Sequence, residues 1–149
     1  MSQLNRARAH ILLCDAAQAI GGKLFILGGG WSKVWGPGPY NFALAVQLWI
    51  PWNQANERKA LKISLVTEDS QPVVGPDGNP VVIAGEVEAG RPPGVRAGSD
   101  LDVAVALTVA LPIPPGRYRW NLELAEDLLT SVPFEVLVTP PLSLPGAIV

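Results

Sequence analysis

The chain has 149 residues, the length of one domain, and 48% of them are hydrophobic while only 16% are charged, against roughly 25% charged residues in an ordinary soluble domain. Either its outer faces are unusually apolar or something covers them. A net charge of −2 and a sequence pI near 5.3 provide no basic surface for nucleic acid or an anionic membrane, so we expect neither as a partner.

The N-terminal region has some features of a targeting signal but not the whole pattern. Arg6 and Arg8 precede the apolar run AHILLC, as basic residues precede the core of a signal peptide. The run is too short, Asp15 interrupts it, and no small-residue cleavage site follows. Cys14 is the only cysteine, so the chain forms no internal disulfide, which suits a reducing compartment. We therefore expect a cytoplasmic protein.

Apolar and polar residues alternate with a period of two along most of the chain, which is the pattern of a β-strand with one face in the core. The clearest case is RYRWNLEL, with Tyr118, Trp120, Leu122 and Leu124 on one face. The pattern predicts about eight strands, in chain order ARAHILLC, KLFILGGGWSKVW, NFALAVQLWI, ALKISLVTED, PVVIAGEVEA, LDVAVALTVAL, RYRWNLEL and VPFEV.

The segments between these strands predict turns and almost no helix. Asp77-Gly78 is a pair favoured where φ must be positive, and PWNQANER offers one helical turn at most. No amphipathic stretch of about ten residues or more can serve as the crossover helix of a parallel sheet. We therefore predict an all-β fold over residues 1–138, an antiparallel two-sheet β-sandwich of the immunoglobulin-like, Greek-key kind. A small closed β-barrel is the alternative.

Two motifs bear on packing. GKLFILGGGW lacks the helix that a phosphate-binding loop needs, so we interpret Gly28, Gly29 and Gly30 as a bulge or sheet-switching bend beneath an aromatic side chain such as that of Trp31. Tyr118 lies two residues after a glycine at the start of a strand and resembles the tyrosine corner of Greek-key sandwiches. The other interpretation of Tyr118 is a simple core aromatic.

The residues that usually carry catalysis or bind metals are sparse. His10 and Cys14, the only histidine and the only cysteine, are about 13 Å apart by the rise of a strand, beyond hydrogen-bond reach, and they are too few for a zinc site. Asp100 and Asp102 resemble the loop acids that bind calcium on β-sandwiches, although a solvated turn is the simpler interpretation. We predict no enzyme activity, no cofactor and no metal.

Alanines occupy the outward positions of two strands where charged residues are expected. We expect these strands to be neighbours, as strands C and F are in immunoglobulin-like sandwiches, and something to pack on the face that they share. The cover is either the chain's own N- or C-terminal segment or another protein, and we expect a homo-oligomer or a larger assembly. Residues 139–149 form a Pro-rich tail that can dock on the same or a neighbouring subunit. The candidate partner-interface residues are Ala43, Ala45, Trp49, Ala104 and Ala106.

The tryptophans suggest an alternative function. A sugar or an apolar small molecule would bind in a concave pocket lined by at least two aromatic rings. The candidates for such a pocket are Trp31, Trp35, Trp49 and Trp52.

Four motifs together resemble a family of short, uncharacterised bacterial proteins. They are ILLCDAAQAIGGKLFILGGGW, IPW followed by AN, GRPPG, and PPGRYRW followed by VPFEV. The resemblance covers residues 9 to about 138 and leaves the C-terminal tail outside. It implies one compact domain, and it supplies no activity, cofactor or catalytic residue.

Overall fold

The computed structural model describes residues 6–138, which form nine β-strands and one 3₁₀ turn at Trp52–Gln54. The predicted C-terminal tail, 139–149, lies outside the described residues. Within residues 6–138 there is no helix with the length and apolar character needed to cross a membrane. The strands are β1 (Arg8–Ile20), β2 (Lys23–Gly29), β3 (Lys33–Trp35), β4 (Tyr40–Ile50), β5 (Lys59–Thr67), β6 (Val82–Val87), β7 (Leu101–Leu111), β8 (Gly116–Leu124) and β9 (Asp127–Leu137).

The strands form two sheets, in the orders β2-β1-β4-β7 and β3-β9-β8-β5-β6. All neighbouring strands are antiparallel except β3 and β9. In the lettering of immunoglobulin domains, β1, β4 and β7 correspond to strands A, B and E, while β9, β8, β5 and β6 correspond to G, F, C and C′. The predicted immunoglobulin-like sandwich is confirmed, and because the two sheets remain separate, the alternative of a closed barrel is wrong.

The two alanine-bearing strands are neighbours, but they are not the counterparts of C and F that we expected. They are β4 and β7, which pair in register from Tyr40 opposite Leu111 to Ile50 opposite Leu101 and correspond to strands B and E. The period-two alternation correctly predicted that the alanines of the two strands lie on one shared face of the sheet. The assignment of letters failed because β1, β2 and β3 all precede β4 in this chain.

Both sheets contribute side chains to one hydrophobic core. Its centre is Trp120, which is fully buried and whose ring lies 5.8 Å from that of Phe42 and 6.3 Å from that of Phe134. The other predicted core positions of β8 are also buried. Tyr118 donates a hydrogen bond from its hydroxyl to the carbonyl oxygen of Pro114 at 2.6 Å, which is the arrangement of a tyrosine corner at the start of strand F.

The strand prediction departs from the structure at two places, a hairpin turn and a bend between the two sheets. The β8–β9 hairpin closes at Ala125-Glu126, with φ of 48° and 72°, so β9 begins earlier than the predicted VPFEV strand. Such a turn usually contains Asn or Gly, which is why the sequence did not indicate it. The single predicted strand KLFILGGGWSKVW is two strands, β2 in one sheet and β3 in the other, and this raises the count to nine.

Candidate interaction surface and aromatic groove

The β1–β2 hairpin, residues 14–29, folds over the outer face of the four-stranded sheet. The first half of β1 pairs with β4, and the second half, from Cys14 to Ile20, pairs with β2. In a flat sheet β2 would lie about 14 Å from β7, three strand spacings away. Instead the Cα atoms of β2 come within 8 Å of those of both β4 and β7, with which β2 forms no ladder.

The hairpin covers two of the alanines on that face. Ala43 and Ala45 are 1% and 2% exposed and form a small buried cluster with Cys14. Ala17 and Leu24 of the hairpin pack against the cluster. The small side chains leave room for the hairpin to approach the sheet closely. Ala43 and Ala45 are therefore covered by their own chain, which corrects their assignment to a partner interface.

The other three candidate interface residues are half-buried. Ala104 and the hairpin turn at Gly22 line the same shallow cavity, and Ala106 lies opposite Ala45 in the ladder. Trp49 packs edge-on against His10 at 5.1 Å and lies 4.9 Å below the guanidinium of Arg8. Contact of Trp49, Ala104 and Ala106 with a partner protein stays a prediction.

The glycine triplet lies where the chain leaves the hairpin and changes sheets. Gly28 and Gly30 have φ of 61° and 92°, in the left-handed region. A Cβ on Gly28 would lie 2.2 Å from Oδ2 of Asp15, and one on Gly29 would lie 2.9 Å from Cδ2 of Leu12. The expected aromatic cover is wrong, since these neighbours are an aspartate and an aliphatic chain.

Trp31, the expected cover of the triplet, turns into the core instead. Its ring centroid lies 6.2 Å from that of Phe42. The β1–β2 register has no shift between Cys14 opposite Gly29 and Ile20 opposite Lys23. The glycines therefore mark a bend between sheets rather than an inserted residue.

The outward face of the hairpin is apolar and exposed. Ile20, Phe25 and Leu27 are 58%, 54% and 71% exposed, and six of the seven residues of β2 are exposed. The stretch 16–31 contains a single charged residue, Lys23. We did not predict this surface, because a continuous apolar run is typical of a buried strand. The adjacent Gly21-Gly22 pair is the signal that the run belongs to a hairpin.

A second feature, which we call the aromatic groove, is formed mainly by residues that follow the glycine triplet in the chain. It has a volume of about 480 Å³. Three half-buried rings, Trp31, Trp35 and Tyr40, provide its apolar surface. Its lining also includes Asp15, Lys33 and Asn41, whose side chains make no hydrogen bond or ion pair with another residue of the range 6–138. The full lining is Asp15, Trp31, Lys33, Val34, Trp35, Pro37, Pro39, Tyr40 and Asn41.

The structure brings together only two of the four candidate ligand-binding tryptophans. Trp31 and Trp35 line the aromatic groove. Trp49 lies on the outer face of β4 with His10, and Trp52 lies 4.4 Å below the guanidinium of Arg91. Arg91 also donates a hydrogen bond to the carbonyl oxygen of Trp52 at 2.8 Å, which is a structural role for the GRPPG motif.

Two of the reactive side chains considered in the sequence, Cys14 and Asp100, are held in structural contacts. Cys14 is fully buried, and burial first and the charge of Asp15 second raise the pKa of its thiol. Asp100 forms an ion pair with Arg8 at 3.1 Å. Within residues 6–138 no group of three or more His, Cys, Asp or Glu side chains is placed to hold a metal ion.

Two carboxylates do share a groove on the five-stranded sheet, Glu68 and Glu135. Both contact Arg117, at 3.9 Å and 4.0 Å. The arginine lies between the carboxylates as a shared ion-pair partner. This arrangement is that of a surface ion-pair network on the polar outer face of the sheet.

The sequence is similar to a family, and the fold to solved structures. The model of a family of unknown function, DUF6941, matches residues 9–137. The comparison with curated proteins gives no match. An immunoglobulin-like protein from Pseudomonas aeruginosa is 18% identical, with a TM-score of 0.46 over 91% of this chain and 100% of that chain.

A second solved structure is the alkylpurine DNA glycosylase AlkC of Pseudomonas fluorescens, bound to DNA containing an abasic site analogue. It is 12% identical, with a TM-score of 0.48 over 87% of this chain. The chain spans 30% of the glycosylase. At these identities neither likeness bears on function.

Proposed function

The chain belongs to the family of unknown function DUF6941. We propose that its β-sandwich is a non-enzymatic protein-interaction module. It assembles with further copies of itself, within a homo-oligomer or a larger bacterial assembly. The observation that carries the proposal is the exposed apolar face of the β1–β2 hairpin, formed by Ile20, Phe25 and Leu27.

The edge of the hairpin supports the same function. Among residues 6–138, β2 is the last strand of its sheet and pairs only with β1, so the backbone groups of its other edge have no partner strand within that range. Proteins usually protect such edges with charged residues, prolines or short strands. Lys23 is the only charged residue of β2, and the strand contains no proline. An edge of this kind favours the addition of a further strand.

A second copy of the chain fits this edge. A two-fold axis through Ile26 would pair two β2 strands antiparallel, because identical surfaces meet in an isologous interface. Phe25 of one copy would then lie opposite Leu27 of the other. Apolar cross-strand pairs of this kind stabilise a sheet by roughly 0.2–1 kcal/mol each.

The test is the mass of the protein in solution by light scattering, across a dilution series. The unmodified chain should have the mass of a dimer or larger, and Phe25→Lys with Leu27→Lys should give a monomer. The matched control, Val74→Lys with Val82→Lys, places the same two charges on exposed valines of β6 and of the loop that precedes it and should leave the mass unchanged. A monomeric unmodified chain at every concentration would overturn the proposal.

The alternative function, binding of a carbohydrate or small molecule, is favoured by the aromatic groove. Two tryptophans and free polar side chains line one concave surface, as in many ligand sites. Titration with oligosaccharides while recording the indole signals of Trp31 and Trp35 tests it. Saturable shifts that are lost in Asn41→Ala would support a ligand site, and unchanged signals throughout the series would contradict it.

A further inference from the structure

We propose that the Pro-rich part of the C-terminal segment, residues 140–145, binds in the aromatic groove of its own chain. This inference goes beyond the proposed oligomer, which uses the hairpin. It rests on three features: the chemistry of the groove, the place where β9 ends, and the composition of the segment.

The groove has the chemistry of a site for proline-rich peptide. Grooves lined by aromatic rings recognise polyproline II segments, since such segments are already extended and lose little conformational entropy on binding. The rings of Trp31, Trp35 and Tyr40 are half-buried, so each presents one surface to the groove. The hydroxyl of Tyr40 donates to the carbonyl oxygen of Gly36, which fixes the orientation of that ring.

The described chain ends beside the groove. β9 runs parallel to β3, and Leu137 lies opposite Trp35 in the ladder. The next residue, Val138, is exposed. A chain that continues in the direction of β9 therefore starts one strand spacing, about 5 Å, from Trp35.

The sequence of the segment suits the groove. TPPLSLPGAIV contains Pro140, Pro141 and Pro145 and no charged residue. In the polyproline II conformation the six residues 140–145 would extend about 19 Å, at 3.1 Å per residue. Leu142 and Leu144 supply apolar side chains between the prolines.

Attachment to the same chain favours this occupant over a free ligand. A short connection gives the segment an effective concentration in the millimolar range, so even weak contacts are populated. A sugar or a foreign peptide would have to displace it. The segment is therefore expected to lower the affinity of the groove for any other ligand.

The test uses the full-length chain and the indole NMR signals of its five tryptophans. A variant with Pro140→Ser, Pro141→Ser and Pro145→Ser should shift the signals of Trp31 and Trp35 and leave those of the other three tryptophans in place. The matched control, Ile148→Ser with Val149→Ser, changes apolar residues outside the Pro-rich part and should shift neither. Dilution should not alter the signals of the unmodified chain.

Two results would overturn the proposal. If the proline variant leaves the Trp31 and Trp35 signals unchanged, the segment does not occupy the groove. If those signals move on dilution of the unmodified chain, the occupant comes from a neighbouring copy. A second variant tests the contact from the side of the groove. Trp35→Ala should shift the backbone NMR signals of Leu142 and Leu144, and unchanged signals there would also reject the inference.

Discussion

Replacement of Gly28 by alanine should lower the free energy of unfolding by about 2–5 kcal/mol, from two separate contributions. Gly28 has a φ of 61°, and holding an L-residue in the left-handed region costs roughly 1–2 kcal/mol. The new Cβ would also lie 2.2 Å from Oδ2, 2.7 Å from Cγ and 3.2 Å from Cβ of Asp15. Part of the cost is that the carboxylate must leave its present rotamer, and part is that the Cβ of Asp15 is fixed to the backbone and stays close, so together they cost roughly 1–3 kcal/mol.

Two other glycines separate these contributions. Gly30 has a φ of 92° and nothing within 4 Å of its added Cβ, so Gly30→Ala should show the backbone cost alone, roughly 1–2 kcal/mol. Gly85 in β6 also has open space, and its φ lies outside the left-handed region. Gly85→Ala should be neutral or stabilise by up to about 1 kcal/mol, because alanine restricts the unfolded chain.

The assay is urea unfolding followed by the fluorescence of buried Trp120. Combining Gly28→Ala with Asp15→Ala should recover part of the lost stability, since neighbouring sites couple by roughly 0.5–3 kcal/mol. The reasoning fails if Gly28→Ala costs no more than Gly30→Ala. It also fails if removal of the Asp15 carboxylate recovers nothing.

Four further predictions concern the tyrosine corner and the covered alanines. Tyr118→Phe should cost about 0.5–1.5 kcal/mol in chemical denaturation, the contribution of the lost hydrogen bond to Pro114. Burial first and Tyr40 second raise the pKa of Tyr118. The unfolded chain therefore loses this proton first, and stability should fall as the pH rises above about 10. The fall should be smaller in Tyr118→Phe. A thiol reagent should label Cys14 only after the hairpin lifts, because the thiol is buried, and rapid labelling of the native protein would contradict the cover. Ala45→Leu should cost roughly 1–3 kcal/mol by overpacking and accelerate that labelling; an unchanged rate would refute it.

The sequence predicted the β-sandwich because alternation reports directly which side chains face the core. In β8 every predicted inward residue is buried, and the Tyr118 motif indicated the turn before strand F. What alternation does not report is the curvature of a strand. β1 is long enough to pair with β4 at one end and with β2 at the other, and nothing in ILLCDAAQAI indicates where it bends.

The candidate surfaces show the same limit. Alanines on the outward side of β4 predicted that a neighbour packs there, since small residues on a sheet face permit close approach. The segment that packs there is the β1–β2 hairpin, and its position depends on the bend at Asp15, Gly28 and Gly30. These residues change the direction of the chain and leave the apolar–polar pattern unaltered. A direction change has no periodic signal, so the exposed face of the hairpin was not predicted as a site, and of the aromatic groove only Trp31 and Trp35 were named as candidates.

The position of these two features narrows where function should be sought. β1 corresponds to the first strand of an immunoglobulin domain, and β3 is the short strand beside strand G. Between them this chain has β2 and the bend that follows it. The polar outer face of the five-stranded sheet carries ion pairs such as that of Arg117 with Glu135, which suits contact with solvent. The exposed rings and aliphatic chains of residues 20–40 gain nothing from solvent, because apolar surface is favoured only when it is removed from water. β2 and the bend add exposed apolar surface and do not enlarge the hydrophobic core, so this surface is best explained as a contact site for another molecule or segment. The hairpin and the aromatic groove are therefore the parts of this sandwich to test first.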